Sequence, residues 1–170
     1  VWSWTHELSS GALPQTVTRV PTPAVATPES GDPMVLVAIP FHGGVARVAA
    51  LRWNGTLLWI TGPDELMGQA DAGVAVCPGV GGDSAVVAAV TWSLATGSLD
   101  PVTHVTLLDA DTGSVRWRTD WNTVSSAPLS LERALCPPVL HDVDGDGTAD
   151  VLVLTSPDVG AFSGSNGSLL

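Results

Sequence analysis

Apolar residues in this chain come in short runs, among them Met34-Val-Leu-Val-Ala-Ile39, Val48-Ala-Ala-Leu51, Ser84-Ala-Val-Val-Ala-Ala-Val-Thr-Trp92, Val105-Thr-Leu-Leu108 and Val151-Leu-Val-Leu154. Gly, Pro, Asp and Asn interrupt them at close intervals. Runs of this length, rich in Val and bounded by turn formers, are the pattern of buried β-strands. No long stretch carries the 3.6-residue period of an amphipathic helix. The pattern predicts an all-β fold.

The runs also repeat, and a repeat decides architecture before any single strand does. A first unit reads Thr22-Pro-Ala-Val25, Asp32-Pro-Met-Val-Leu-Val-Ala-Ile39, Val48-Ala-Ala-Leu-Arg-Trp-Asn-Gly55 and Thr56-Leu-Leu-Trp59. A second reads Cys77-Pro-Gly-Val80, Asp83 to Val90, Val105 to Gly113 and Ser114-Val-Arg-Trp117. The third reads Cys136-Pro-Pro-Val-Leu140, Asp150-Val-Leu-Val-Leu-Thr155, Gly160-Ala-Phe-Ser163 and, after Asn166-Gly167, Ser168-Leu-Leu170. Each unit is four short strands, the last two joined at Asn54-Gly55, Thr112-Gly113 or Asn166-Gly167, where positive φ gives a tight hairpin. The three turn glycines lie 58 and 54 residues apart by subtraction of their numbers, close to the period of four-stranded propeller blades. A tryptophan follows the glycine by four residues in two units, Trp59 and Trp117, and the chain ends one residue short of that place in the third.

The expected architecture is thus a partial β-propeller of four-stranded antiparallel blades spanning 1–170. Residues 1–4, with Trp2 and Trp4, would be the closing strand of an earlier blade; 17–61, 71–119 and 134–170 would be three further blades. Stretches 62–72, 93–104 and 119–134 are expected to be loops. Propellers close with about four to eight blades, so the remaining blades are expected from the same, longer chain. Alone, the segment should expose apolar strand edges and aggregate.

Composition narrows the partners. A net charge of −11 arises from 17 acidic residues against six basic ones, all arginine, which argues against a nucleic-acid or anionic-membrane surface. With 45% hydrophobic and 14% charged residues there is material for a core. No run approaches the roughly 18 apolar residues of a membrane span, and the N-terminus lacks the layout of a secretion signal. Direct membrane insertion of this segment is not expected.

One segment carries chemistry. Asp142-Val-Asp-Gly-Asp-Gly-Thr-Ala-Asp150 places Asp142, Asp144, Asp146 and Asp150 at positions one, three, five and nine of a loop, with Thr148 at seven offering its backbone carbonyl. Alternate carboxylates converging from a tight turn suit a hard cation, and calcium tolerates such a site better than magnesium, which demands a tighter octahedron. An EF-hand would need a bidentate acid at position twelve, where Val153 stands, and helices where Pro137-Pro-Val-Leu140 and Val151-Leu-Val-Leu154 read as strands. The other reading is a solvated acidic turn without metal. The matching places in the other units, Thr27 to Asp32 and Gly79 to Asp83, lack the alternating acids, so one site is expected. His141, before the first ligand, is read as an ordinary structural histidine.

The loop from Asp142 to Asp150, set between Pro138-Val-Leu140 and Val151-Leu-Val-Leu154, resembles the calcium loop of FG-GAP repeats, the blades of integrin α-type propellers. Leu107-Leu-Asp-Ala-Asp-Thr-Gly-Ser-Val-Arg-Trp117 and Ala161-Phe-Ser-Gly-Ser-Asn-Gly-Ser-Leu-Leu170 are similar to the repeats of quinoprotein (pyrroloquinoline-quinone-type) propellers. The combination resembles the ectodomains of integrin-α FG-GAP-repeat-containing single-span membrane proteins, which implies a propeller without enzymatic activity. The Phe-Gly and Gly-Ala-Pro marks of the integrin form are missing, with Gly160-Ala-Phe162 standing in place of the latter.

Two of the three asparagines lie in N-x-S/T sequons, Asn54-Gly-Thr56 and Asn166-Gly-Ser168, open to glycosylation or present for turn geometry alone. Cys77 and Cys136 fall at matching points of the repeat and could pair, although a bridge needs Cα atoms within about 7 Å. Extracellular calcium modules bind at roughly 10⁻⁴ to 10⁻³ M, which points to an extracellular, cell-surface location. The sequence therefore predicts a non-catalytic, calcium-binding propeller module that docks another protein or mediates adhesion, the partner unidentified. A quinone-dependent dehydrogenase propeller and a matrix or flagellar scaffold are the alternatives. No Gly-x-Ser-x-Gly, His-Glu-x-x-His or Cys-x-x-Cys pattern favours an enzyme.

Overall fold

The structure, a computed structural model, describes residues 22–27, 32–39, 46–62, 65–70, 72–78, 84–94, 101–121, 134, 136–155 and 158–170. Among these residues there are eleven strands and no helix. They form three antiparallel sheets, each a meander in chain order. The first comprises β1 (Ala24–Ala26), β2 (Met34–Ile39), β3 (Arg47–Arg52) and β4 (Leu57–Ile60). The second comprises β5 (Val74–Cys77), β6 (Val86–Leu94), β7 (Pro101–Asp109) and β8 (Val115–Trp121). In the third, β9 (Val139–His141), β10 (Asp150–Leu154) and β11 (Val159–Phe162) are regular, and a single bridge from Phe162 to Leu169 stands where a fourth strand was expected.

The sheets stack, with β1 against β5 and β5 against β9. Two cores fill the gaps between them. Met34, Leu36, Ala38, Val48 and Ala50 of the first sheet meet Val87, Ala89 and Leu108 of the second. On the second sheet's other face, Val86, Ala88, Val90, Val105 and Leu107 meet Val151, Val153 and Phe162 of the third. Adjacent residues of β6 thus serve opposite cores, which is why this strand reads as a continuous apolar run rather than an alternating one. Trp121 adds an edge-to-face contact with Phe162, ring centroids 5.5 Å apart.

The same fastening occurs at both junctions. Trp59 of β4 donates its indole N–H to the carbonyl of Ala110 at 2.8 Å, and Trp117 of β8 does so to the carbonyl of Gly164 at 2.8 Å. Each indole lies over the next sheet's hairpin glycine: a Cβ on Gly113 would stand 2.5 Å from Cε3 of Trp59, and one on Gly167 2.6 Å from Cε3 of Trp117. Both glycines also have a φ of 75°, so turn and indole alike exclude a side chain there.

Several boundaries differ from the sequence reading. β6 runs through Leu94, β7 begins at Pro101 and β8 reaches Trp121, so parts of 93–104 and 119–134 are strand rather than loop. Within 62–72, Leu66 and Ala70 are buried in the first core, and Gln69 bridges to Trp92. The first strand of the second unit ends at Cys77 instead of beginning there, whereas Cys136 precedes β9. The two cysteines therefore do not hold equivalent places, and both are free thiols. The closing strand expected at 1–4, with Trp2 and Trp4, and the start of the first blade at 17–21 lie outside the described residues.

Candidate metal centre

The acidic loop connects β9 to β10, whose flanking residues His141 and Asp150 are paired across the ladder. Its acids first fold the loop itself. Asp142 accepts N–H bonds from Gly145 at 2.7 Å on Oδ1 and from Gly147 at 3.0 Å on Oδ2. Asp144 Oδ1 accepts from Asp146 N–H at 3.1 Å, and Asp146 Oδ1 from Thr148 N–H at 2.7 Å. Short acidic side chains bonding to the backbone two or more residues on are the usual stabilisers of such turns. Gly145 and Gly147 take φ of 81° and 87° with open space around them, so backbone conformation rather than crowding selects glycine here.

These turns bring carboxylate oxygens of Asp142, Asp144 and Asp146 within 4.8 Å of one another, on a half-buried and two exposed side chains. At that separation two like charges repel by about 0.9 kcal/mol in the dielectric of water. A divalent cation at their centre converts the repulsion to attraction, and an all-oxygen donor set fits a hard ion such as calcium.

Asp150 has a different position. Its side chain is fully buried; Oδ2 accepts the N–H of Val143 at 2.8 Å and Oδ1 that of Gly164 at 2.9 Å. It stands outside the three-carboxylate group and ties the loop to the hairpin after β11. The tie is tight, since a Cβ on Gly164 would lie 2.2 Å from the Ala149 carbonyl oxygen. Each oxygen of Asp150 retains a second lone pair. His141 is exposed.

Asn54 and Asn166 are exposed in equivalent hairpins of the first and third sheets. Asp109, opening the Asp-x-x-Thr-Gly turn of the second, accepts from Asp111 N–H, Thr112 N–H and the Thr112 hydroxyl on one oxygen, and from Arg116 at 3.0 Å on the other. Burial pushes its carboxyl up, but Arg116 and Thr112 together outweigh that and hold it below its ordinary 3.8.

The sequence reading missed one polar chain. Ser93 on β6 lies 2.8 Å from His104 Nε2, and His104 Nδ1 on β7 lies 2.7 Å from Asp120 Oδ1 on β8. The atom order is that of a nucleophile, a base and an orienting acid. The imidazole side chain is only 3% exposed, whereas the carboxylate is 56% exposed. An enclosed ring with both nitrogens bonded ties three strands together instead of offering a base to solvent. Finding it in the sequence would have required the register that pairs His104 with Asp120 on one side and with Thr91 on the other, which sets Ser93 diagonally beside the imidazole.

No protein-family model, curated protein or solved structure matched the chain.

Proposed function

We propose that this chain is part of an extracellular, cell-surface β-propeller whose single calcium ion rigidifies one blade, and that the module binds another protein rather than catalysing a reaction. The carrying observation is the convergence of Asp142, Asp144 and Asp146 in a loop that Asp150 fastens to its own sheet. Calcium would be held by those three carboxylates, with the Thr148 carbonyl and the remaining lone pairs of Asp150 as further oxygen donors. Three consecutive sheets touching through their first strands, with a tryptophan fastening at each junction, support the propeller reading. The remaining blades come from the same protein. The net charge of −11 directs the module toward cations and protein partners and away from nucleic acid.

The test is calcium binding by the full protein, followed by calorimetry and melting temperature. A dissociation constant of roughly 10⁻⁴ to 10⁻³ M makes 1 mM calcium worth about 0.4–1.4 kcal/mol. That corresponds to a rise of roughly 1–6 °C, which Asp144→Asn combined with Asp146→Asn should abolish and magnesium should not reproduce. A melting temperature indifferent to calcium and chelator would refute the reading.

A further inference from the structure

We propose that Asn54 and Asn166 are N-glycosylation acceptors and that their glycans stand at the end of the sheet stack that carries the acidic loop. The inference rests on the extracellular location proposed above.

In both sequons the asparagine and the hydroxyl residue two positions on are exposed. Asn54 Oδ1 accepts the N–H of Thr56 at 3.0 Å and Asn166 Oδ1 that of Ser168 at 2.8 Å. Among the described residues neither Nδ2 has a hydrogen-bond partner. The carbonyl side of each amide therefore builds the turn while its nitrogen faces outward unused.

Turn geometry does not require asparagine here. The equivalent hairpin of the middle sheet, Thr112-Gly113-Ser114, makes the corresponding bond with a hydroxyl, Thr112 Oγ1 accepting from Ser114 N–H at 3.3 Å. It also keeps the same positive φ on its glycine. Threonine thus satisfies the turn, and what asparagine adds in the other two sheets is a free amide nitrogen beside a hydroxyl residue.

In the transfer, Nδ2 attacks the anomeric carbon of a lipid-linked oligosaccharide pyrophosphate. A C–N bond forms, the anomeric C–O bond breaks, Nδ2 gives up one of its two protons and the lipid pyrophosphate departs. The amide oxygen remains an acceptor, so the bonds to Thr56 and Ser168 survive modification and the folded hairpins tolerate the sugar. Gly164, two residues before Asn166, donates to Asp150 at the base of the acidic loop, which puts that glycan beside the proposed calcium site.

The experiment expresses the full protein in animal cells with a sequon-bearing tag joined on the same side of any membrane span as residues 1–170, then removes N-glycans in isotopically labelled water and maps the marked aspartates. Asn54 and Asn166 should both be marked. Thr56→Ala and Ser168→Ala, which keep each asparagine and its turn, should each remove one glycan and leave the tag's in place. A glycosylated tag with both asparagines unmarked overturns the acceptor assignment while leaving the location intact. An unmodified tag overturns the location and the acceptors together.

Discussion

Asp150 is worth more to the fold than the acids around it. Removing its carboxylate leaves the N–H groups of Val143 and Gly164 without partners beneath a tight loop, and bonds of that charged kind carry about 1.5–3 kcal/mol each. Asp150→Ala is expected to cost roughly 3–5 kcal/mol in denaturant unfolding, whereas Asp144→Ala without calcium should cost under about 1 kcal/mol, its side chain being exposed. The converging acids were legible because their spacing is local, three alternate residues in one turn. The place of Asp150 was not, because it is set by Gly164 in a hairpin that only the folded sheet brings near. Asp109 gives a second expectation. Its lowered pKa contributes stability that is present above the ordinary carboxyl value near 3.8 and is lost as pH falls through the lower folded value. Arg116→Met should therefore lower stability at neutral pH, leave the strongly acid end little changed, and so flatten the acid limb of a stability-versus-pH curve.

For the elements, the hairpins are the positions least tolerant of change. Gly113→Ala combines a left-handed backbone, costing about 1–2 kcal/mol for a residue with a Cβ, with a clash against the Trp59 ring. A loss of roughly 2–4 kcal/mol is expected, read from chemical denaturation, together with a red-shifted indole emission where Trp59 is dislodged toward water. Hairpin glycines and most strands were readable from β-branched runs and turn dipeptides. The opening strand of the second unit, however, lies at Val74–Cys77 instead of starting at Cys77, and the closing strand of the third is a single bridge. Strand lengths in the second sheet were not readable. Ser93, Pro101 and Thr103 look like part of a loop in sequence, yet the His104 chain and the ladder from Val86 to Leu94 carry both strands further. Cross-strand polar ties of that kind leave no period along a single strand.

Across the whole molecule, each sheet needs its neighbour. The middle sheet buries both faces, in two separate cores, so its apolar runs gave away burial but not which residue served which side. The parity of β6 against its partners settles that assignment, and parity depends on register. The proposed calcium and glycans gather with the hairpins of Gly55, Gly113 and Gly167 at one end of the stack, and the connections from β2 to β3, β6 to β7 and β10 to β11 lie at the other.

The indole fastenings also give the fold a direction. Trp59 finds its seat only on a turn some fifty residues further along, and Trp117 does the same with the turn at Gly167. As the chain leaves the ribosome, each finished sheet holds an unseated tryptophan until the following repeat has emerged. Maturation should therefore lag synthesis by one repeat, and a chaperone surveying the nascent chain would meet one unseated junction tryptophan at a time.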